Sequence, residues 1–341
     1  MRNDTREKYN RFLGRIQELN GVGDATKKFS VAPTVQQTVE TKMQLSSAFL
    51  GQINIHGVEE MEGEKIGLGV SGPIASRTDT TKRARETRDV SALDNQKYRC
   101  EKTDYDTHIR YQQLDAWAKF PDFQARLRDS IIARAALDRI MIGWNGERVA
   151  TDTNLDANPL LQDVNIGWLQ QYRNNAKERV FAGVKIGKAE KFKNLDAVVS
   201  LARNEFLDPW YAEDPNLVVI CGRELLQDKY FPLINQAQPS TETLATDIVV
   251  SQKRIGNLPA VSVPYFPPHA LMVTRLDNLS IYWQISARRR ALQDQPERDR
   301  IANYESSNDA YVIEQYGAGC VVENIQFADV ELAPEAPKAG A

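Results

Sequence analysis

The sequence predicts an α+β protein in which long helical and extended segments lie outside the compact parts. Three observations lead to this fold class. The N-terminus has an amphipathic helical pattern, residues 122–143 form a helix of about 22 residues, and a unit of helices and short strands begins near residue 195. The connections in that unit are too irregular for a doubly wound parallel sheet, so we expect an α+β arrangement.

The composition of the chain is typical of a globular protein with about two domains. Its 341 residues include 43 basic and 46 acidic side chains, a net charge of −3, which argues against a dedicated nucleic-acid-binding protein. No segment reaches the roughly 18 consecutive apolar residues of a membrane span, and the charged N-terminus has no apolar signal core. We therefore expect no membrane partner and no secretion.

The first helix is predicted from Asp4 or Thr5, which can cap it, to the stop at Asn20-Gly21. Residues 21–28 are predicted to form a flexible linker. A helix on such a linker must dock either on its own body or on another chain, and the pattern favours neither. Its candidate docking face consists of Tyr9, Phe12, Leu13, Ile16 and Leu19.

Residues 31–58 are predicted to form an extended arm with a short helix around residues 41–51, and residues 66–109 a two-stranded excursion. The excursion contains a G-x-G-x-x-G motif at Gly67, Gly69 and Gly72. In a dinucleotide site this motif opens a helix, whereas here β-branched and turn residues follow it, which indicates a glycine-rich hairpin.

The far end of the excursion is polar, and it holds no apolar residue larger than alanine from residue 77 to 89. Such a segment is either a solvated tip or an arm that contacts another chain through charge pairs. The basic residues available for such pairs are Lys82, Arg83, Arg85 and Arg88.

The long helix from residue 122 to 143 is predicted to be ended by Gly143 and Asn145-Gly146. Four arginines lie among its polar positions, which is typical of a solvated face, with contacts to a neighbouring subunit as the alternative; they are Arg126, Arg128, Arg134 and Arg139. The run 288–290 of three arginines is followed by mixed charges and is interpreted as a solvated or pairing surface.

No catalytic, metal or cofactor site is predicted. The three cysteines and three histidines are widely scattered, without the close pairs of a zinc site or the even count of a disulfide framework. No nucleophile elbow or phosphate-binding loop occurs. Long arms without a catalytic constellation favour an assembly protein over an enzyme.

A series of short stretches, in order over nearly the whole chain, is shared with one family. They are Lys27-Lys28-Phe29, Gly63-Glu64-Lys65-Ile66-Gly67, Gly167-Trp168-Leu169-Gln170, Asp208-Pro209-Trp210-Tyr211, Lys229-Tyr230-Phe231-Pro232, Ser251-Gln252-Lys253-Arg254-Ile255-Gly256-Asn257-Leu258-Pro259-Ala260-Val261, Tyr304-Glu305-Ser306 and Ala318-Gly319-Cys320. With them the sequence resembles the major capsid proteins of P2-like tailed bacteriophages. The loop around residues 80–89 and the region 183–192 depart from the family's pattern.

The resemblance implies an HK97-like capsid fold, and it assigns each segment of the chain to a named part of that fold. The expected parts are a scaffold-like N-terminal segment (1–30) that is cleaved, an N-arm (31–62), an E-loop (63–110), a peripheral domain (111–194) with a spine helix (122–143), an axial domain (195–303), strands returning to the peripheral domain (304–332) and a flexible tail (333–341). Phe29-Ser30 lies at the position that matches the family's maturation cleavage.

The resemblance also implies a function without catalysis, in which the chain self-assembles into the icosahedral head shell around double-stranded DNA. Implied partners are further copies in hexamers and pentamers, an internal scaffolding protein or protease, a portal at one vertex, and DNA bound without sequence specificity. Assembly would take place in the bacterial cytoplasm and end in the virion. The alternatives are a decoration or tail protein of the particle, or an enzyme with a site assembled from distant residues.

Overall fold

The computed structural model describes residues 1–65, 75–87, 97–120, 123–234 and 253–328. The helices are α1 (Asn3–Asn20), α2 (Pro33–Leu45), α3 (Tyr111–Trp117), α4 (Phe123–Asn145), α5 (Trp168–Asn175), α6 (Leu195–Phe206), α7 (Pro209–Ala212) and α8 (Arg223–Ile234). The strands are β1 (Phe29–Ser30), β2 (Asn54–Val58), β3 (Glu62–Glu64), β4 (Lys97–Arg99), β5 (Glu101–Asp104), β6 (Thr107–Arg110), β7 (Val180–Ala182), β8 (Lys185–Ile186), β9 (Val218–Cys221), β10 (Arg254–Ile255), β11 (Leu258–Val261), β12 (Leu271–Thr274), β13 (Leu279–Gln284), β14 (Arg289–Gln295), β15 (Arg300–Ile313), β16 (Gly319–Glu323) and β17 (Gln326–Phe327).

The chain divides into two units. Unit 1 contains Met1–Trp168 and Leu279–Gln315, and unit 2 contains Leu169–Asn278 and Tyr316–Ala341. This division differs from the predicted boundaries at 195 and 303, because strand pairing joins segments that are far apart along the chain. β13 pairs with β15 and β2 and therefore belongs to unit 1, whereas β7 and β8 pair with β16 and β17 in unit 2.

The 14-residue strand β15 organises the sheet of unit 1. Along one edge it pairs with β14 and then β13, and along the other with β6 and then β5. The order β1-β14-β15-β13-β2 places β1 and β2 at the ends of the path. The predicted excursion leaves from β3 and returns through β4, which pair with each other. Its motif glycines lie outside the described residues.

Helix α2 begins eight positions before the short helix predicted around residues 41–51. Pro33 starts it, at the helical position where a missing N–H costs nothing. Its buried face consists of Gln36, Glu40 and Met43, so two of the three buried side chains are polar. No apolar stripe marks this helix in the sequence, which is why the pattern placed it wrongly.

Helix α4 confirms the predicted long helix over Phe123–Asn145, although its expected cap, Asp122, lies outside the described residues. Of the two predicted stop signals, the helix passes Gly143 and ends at Asn145-Gly146. A Cβ atom at Gly143 would lie 2.3 Å from the ring of Trp168, so the glycine permits close packing rather than a stop. Trp168 is itself buried and donates its indole N–H to the carbonyl of Ser280 at 3.0 Å.

Arg139 of α4 was predicted to lie on a solvated face, and this prediction is wrong. Its side chain is 0% exposed and donates hydrogen bonds to Asp309 of β15, at 2.9 and 3.1 Å, and to Glu40 of α2. Arg288, just before β14, is also buried and donates to Glu40 at 2.8 Å and to Glu305 at 2.6 Å. These five residues form a buried ion cluster that joins α2, α4 and the sheet.

The charges of the buried ion cluster persist because each has an opposite charge and hydrogen bonds. Burial lowers the pKa of Arg139, but Asp309 and Glu40 outweigh it and hold the pKa well above its ordinary value. For the acid Glu305, burial has the opposite effect and raises the pKa. The positive charges of Arg288 and Arg290 outweigh burial and hold this pKa below its ordinary value. Burial also raises the pKa of Asp309, in spite of the nearby Arg139. Arg139, Arg288 and Glu305 are therefore charged at neutral pH.

Unit 2 is built on a mixed sheet of order β10-β11-β9-β12-β16-β7, in agreement with the expectation that it is not doubly wound. Helix α6 confirms the amphipathic helix predicted from Leu195, and its buried face contributes to the core with strands β9, β12 and β16. Asn194 caps this helix by accepting the Ala197 N–H at 2.9 Å.

We expect Arg139→Met to lower the free energy of unfolding by about 3–5 kcal/mol, because Glu40 and Asp309 would stay buried without their countercharge. Urea unfolding of the unassembled chain measures this loss. The control is Arg128→Met on the same helix, where the guanidinium pairs with an exposed Asp129 at 2.9 Å and the expected loss is about 0–1 kcal/mol. Equal losses for the two variants would contradict the role of the cluster.

Candidate functional site

The predicted docking face of α1 packs on the chain's own unit. Tyr9 and Ile16 are buried, Phe12 and Leu13 are partly buried in the same clusters, and Leu19 is 47% exposed. Of the two alternatives left open by the sequence, docking on another chain and docking on its own body, this structure shows the second. The helix begins at Asn3, before the predicted caps, and ends at Gly21 in the left-handed conformation with φ 64°.

Two small apolar clusters hold this segment. Tyr9 packs with Tyr111, Leu114 and Ile301, which belong to α3 and β15. Ile16 packs in a second cluster with Ala25, Phe29, Val31 and Leu292. Because Ala25 is completely buried and its carbonyl accepts the Leu292 N–H at 3.0 Å, residues 21–28 are held against β14 rather than free as predicted.

Polar contacts add to this docking. Arg6 pairs with Asp294 of β14, and the Tyr111 hydroxyl donates to the same carboxylate. The backbone N–H of Arg2 donates to Asp115 at 2.9 Å. Burial raises the pKa of Asp294, but the hydrogen bonds from Arg6 and Tyr111 outweigh it and hold the pKa below its ordinary value. The ionised carboxylate therefore stabilises the docked helix.

Phe29 and Ser30, the predicted cleavage position, form strand β1 and pair with Arg290 and Arg289 of β14. Phe29 is buried, and the Ser30 hydroxyl accepts a hydrogen bond from Arg289 at 2.8 Å and donates to the Ser286 carbonyl at 3.0 Å. Proteases cut chain segments that are exposed or locally opened. The docked segment therefore shields this bond.

The tip of the excursion presents its basic side chains to solvent. Lys82, Arg83 and Arg85 are all exposed, while Arg88 lies outside the described residues. Lys82 lies 3.4 Å from Asp79, whose pKa is held below its ordinary value by hydrogen bonds from Thr81. Arg83 and Arg85 form no ion pair with any residue that the structure describes.

Over the described ranges, no group of three or more His, Cys, Asp or Glu side chains is placed to hold a metal ion. The cysteines Cys100, Cys221 and Cys320 are buried and unpaired with one another, and burial raises the pKa of each thiol to about 12. Among the helices of the same ranges, none is both long and apolar enough to span a bilayer.

The exposed basic side chains of Lys82, Arg83 and Arg85 are available for contacts with another chain. A solved structure described as "Satellite phage P4 procapsid including size determination (Sid) protein" matches the whole fold. Its TM-score is 0.81 with 48% identity, and the match covers 96% of this chain and 99% of that one. The class is therefore that of tailed-phage capsid proteins with the HK97-like fold, as predicted.

The sequence comparisons specify the family. A family model described as "Phage major capsid protein, P2 family" matches residues 8–325. The chain is 51% identical over 344 residues to the capsid protein of Escherichia phage P2, covering 96% of each. It is 39% identical over 345 residues to the major capsid protein of Serratia phage KSP20, covering 97% of this chain and 99% of the relative.

The chain belongs to the P2 family of phage major capsid proteins. It is a structural protein that self-assembles into the shell of the virion head, and it is not an enzyme. The resemblance drawn from its short stretches is confirmed. The decoration, tail and enzyme alternatives are set aside.

Tyr9→Ala removes the ring that anchors α1, and we expect it to open the shielded bond. Chymotrypsin prefers large apolar residues, so it provides a direct probe of cleavage after Phe29. Limited proteolysis of the unassembled chain, followed by mass spectrometry, should show at least a tenfold faster cut, since a buried aromatic ring is worth about 3–5 kcal/mol. Arg11→Ala, on the exposed side of the same helix, is the control and should leave the rate unchanged.

Proposed function

We propose that the two units carry out the separate tasks of an HK97-like shell subunit. Unit 1, with α4 as the spine helix, acts as the peripheral domain, and unit 2 acts as the axial domain of hexamers and pentamers. Residues 63–110 contain the E-loop, which has β3 and β4 at its base, while β5 and β6 pair with β15 in the sheet of unit 1. The observation that carries the proposal is the exposed tip, where Arg83 and Arg85 have no ion-pair partner among the described residues.

Further partners in this proposal are an internal scaffolding protein or protease, a portal at one vertex, and double-stranded DNA held without sequence specificity. The relative in the P4 procapsid is described together with a size determination protein, which supports a scaffold-like partner for this chain as well. A net charge of −3 suits a lining that does not grip the packaged DNA.

Contacts at the E-loop tip are individually weak. An exposed ion pair contributes about 0–1 kcal/mol, but a shell repeats each contact in every copy. The basic tip therefore acts through the number of its contacts, and losing it affects assembly rather than the folding of one chain.

Reversing Lys82, Arg83, Arg85 and Arg88 to glutamate should reduce the yield of closed shells at least tenfold, since each tip would then repel the acidic residues that it contacts. Electron microscopy and sedimentation of the assembled fraction measure the yield, and circular dichroism confirms that the chain is folded. The matched control reverses four exposed lysines of unit 2, Lys177, Lys185, Lys188 and Lys193. An unchanged shell yield for the tip variant would refute its role.

We also propose that residues 1–29 are removed at Phe29-Ser30 during maturation. The proposal is supported by the way in which this segment is held on unit 1, through two small apolar clusters and a two-residue strand. Its release must precede the cut, because the bond is paired with β14 while the segment is docked.

Intact-mass measurement tests this cleavage. The chain from assembled shells without DNA should have the mass of residues 1–341, and the chain from DNA-filled heads the mass of a protein beginning at Ser30. Full-length chain in filled heads would rule out the proposal, and a new N-terminus elsewhere would relocate the bond.

A further inference from the structure

A polar groove of about 330 Å³ lies on one face of the sheet of unit 1, next to the bond between Phe29 and Ser30. Strand register pairs Ser30 with Arg289 and Arg289 with Ser306, so these side chains lie on the same face. Glu305, one position away, reaches the buried ion cluster on the opposite face. The basic and polar residues that line the groove include Lys28, Lys102, Ser286, Arg289, Ser306 and Asn308.

Positive charge in this groove is only partly compensated. Lys102 pairs with Asp104 at 2.6 Å, but Lys28 and Arg289 form no ion pair with a described residue. Arg289 instead donates to uncharged oxygens, those of the Ser30 hydroxyl, at 2.8 Å, and of the Ser286 carbonyl. No aspartate or glutamate of the described ranges lines the groove. Two cations therefore face it without a countercharge.

This arrangement favours an anionic ligand with several negative groups. A guanidinium donates paired hydrogen bonds to a carboxylate or a phosphate, and a lysine ammonium acts as a point charge for either. The neighbouring Ser306 and Asn308 add a hydroxyl and an amide that can donate to further oxygens. The ligand is therefore either a segment of acidic side chains or a phosphate backbone.

The position of Lys28 in the chain decides between these two ligands. Lys28 belongs to the segment that we propose is removed, so the groove is complete only before cleavage. In the proposed order of events, the shell at that stage holds its internal protein and does not yet hold DNA. The ligand that meets the complete groove is therefore a protein.

We propose that this groove binds an acidic segment of the internal scaffolding protein or protease. The inference rests on the proposed cleavage and adds the surface that receives the partner and the chemistry of the segment that it binds. Arg289 contacts the hydroxyl of Ser30, so a partner bound to Arg289 lies beside the bond that is cut. Each contact is weak, but a shell repeats it in every copy, and the partner is thereby concentrated at its cleavage site.

A binding measurement on the unassembled full-length chain tests the chemistry of the groove. The probe is a fluorescein-labelled peptide of repeated glutamate and glycine, followed by fluorescence anisotropy at low ionic strength. Lys28→Gln/Arg289→Gln should bind this peptide at least tenfold more weakly than the unchanged chain, because both uncompensated cations are lost. Circular dichroism verifies that the variant is folded, and equal affinities of the folded variant and the unchanged chain would overturn the proposal.

The neighbouring lysine provides a matched control. Lys27→Gln removes the same charge one position away, where the ammonium lies 3.8 Å from Asp24 and does not line the groove. Its affinity for the peptide should equal that of the unchanged chain, and a loss as large as that of the groove variant would count against the groove. A fluorescein-labelled DNA duplex is the second probe. If the groove variant loses affinity for DNA but not for the peptide, the groove serves nucleic acid and the proposal is overturned.

An experiment on particles separates this inference from the cleavage proposal. Arg289→Glu/Lys102→Glu leaves the sequence around the Phe29–Ser30 bond unchanged and reverses two charges of the groove. Shells assembled from this variant with the internal proteins of the same phage should hold at least tenfold less internal protein, and fewer of their chains should begin at Ser30. Quantitative mass spectrometry measures both.

The two readouts distinguish the possible failures. If the unchanged chain stays full length in filled heads, the cleavage proposal fails, and the partner's binding to the groove is still measured by the internal protein in each shell. If the unchanged chain is cut, and the variant holds as much internal protein and is cut equally fast, only the groove assignment fails.

Discussion

The completely buried guanidinium of Arg139 is the constraint on which unit 1 depends. A cation without access to water must have its countercharges within hydrogen-bonding distance, and these come from α2 and β15. Arg288 extends the same requirement to the start of β14. Helices α2 and α4 and strand β15 are therefore joined by directional contacts, which specify their mutual position more narrowly than apolar packing does.

Strand β14 connects the buried ion cluster with the N-terminal segment that we propose is removed. Arg288, which precedes it, points into the buried ion cluster, whereas Arg289 and Arg290 pair with Ser30 and Phe29. Further along, Asp294 holds Arg6 of α1. The N-terminal segment is thus docked on a strand whose own position is fixed from the other side, so the segment can leave without disturbing the cluster.

Apolar patterns that are local in the sequence predicted most helices and strands. The features that were not predicted depend on contacts between segments that are far apart in the sequence. The long helix α4 and the amphipathic helix α6 follow from apolar periodicity. Helix α2 does not, because its buried Glu40 is polar and finds its partner 99 residues away in Arg139. For the same reason the unit boundaries and the docking of α1 could not be predicted, whereas the basic tip was visible in the sequence as a run without large apolar residues.

The pairing of β1 with β14 has one more consequence. With β1 at the end of the sheet path, removal of residues 1–29 would take Phe29 from its pairing with Arg290 and leave that part of the β14 edge facing solvent. An open sheet edge is a template for an added strand from another chain. Cleavage would then also change how the sheet can pair, because an edge that was covered could accept a strand from a neighbouring subunit.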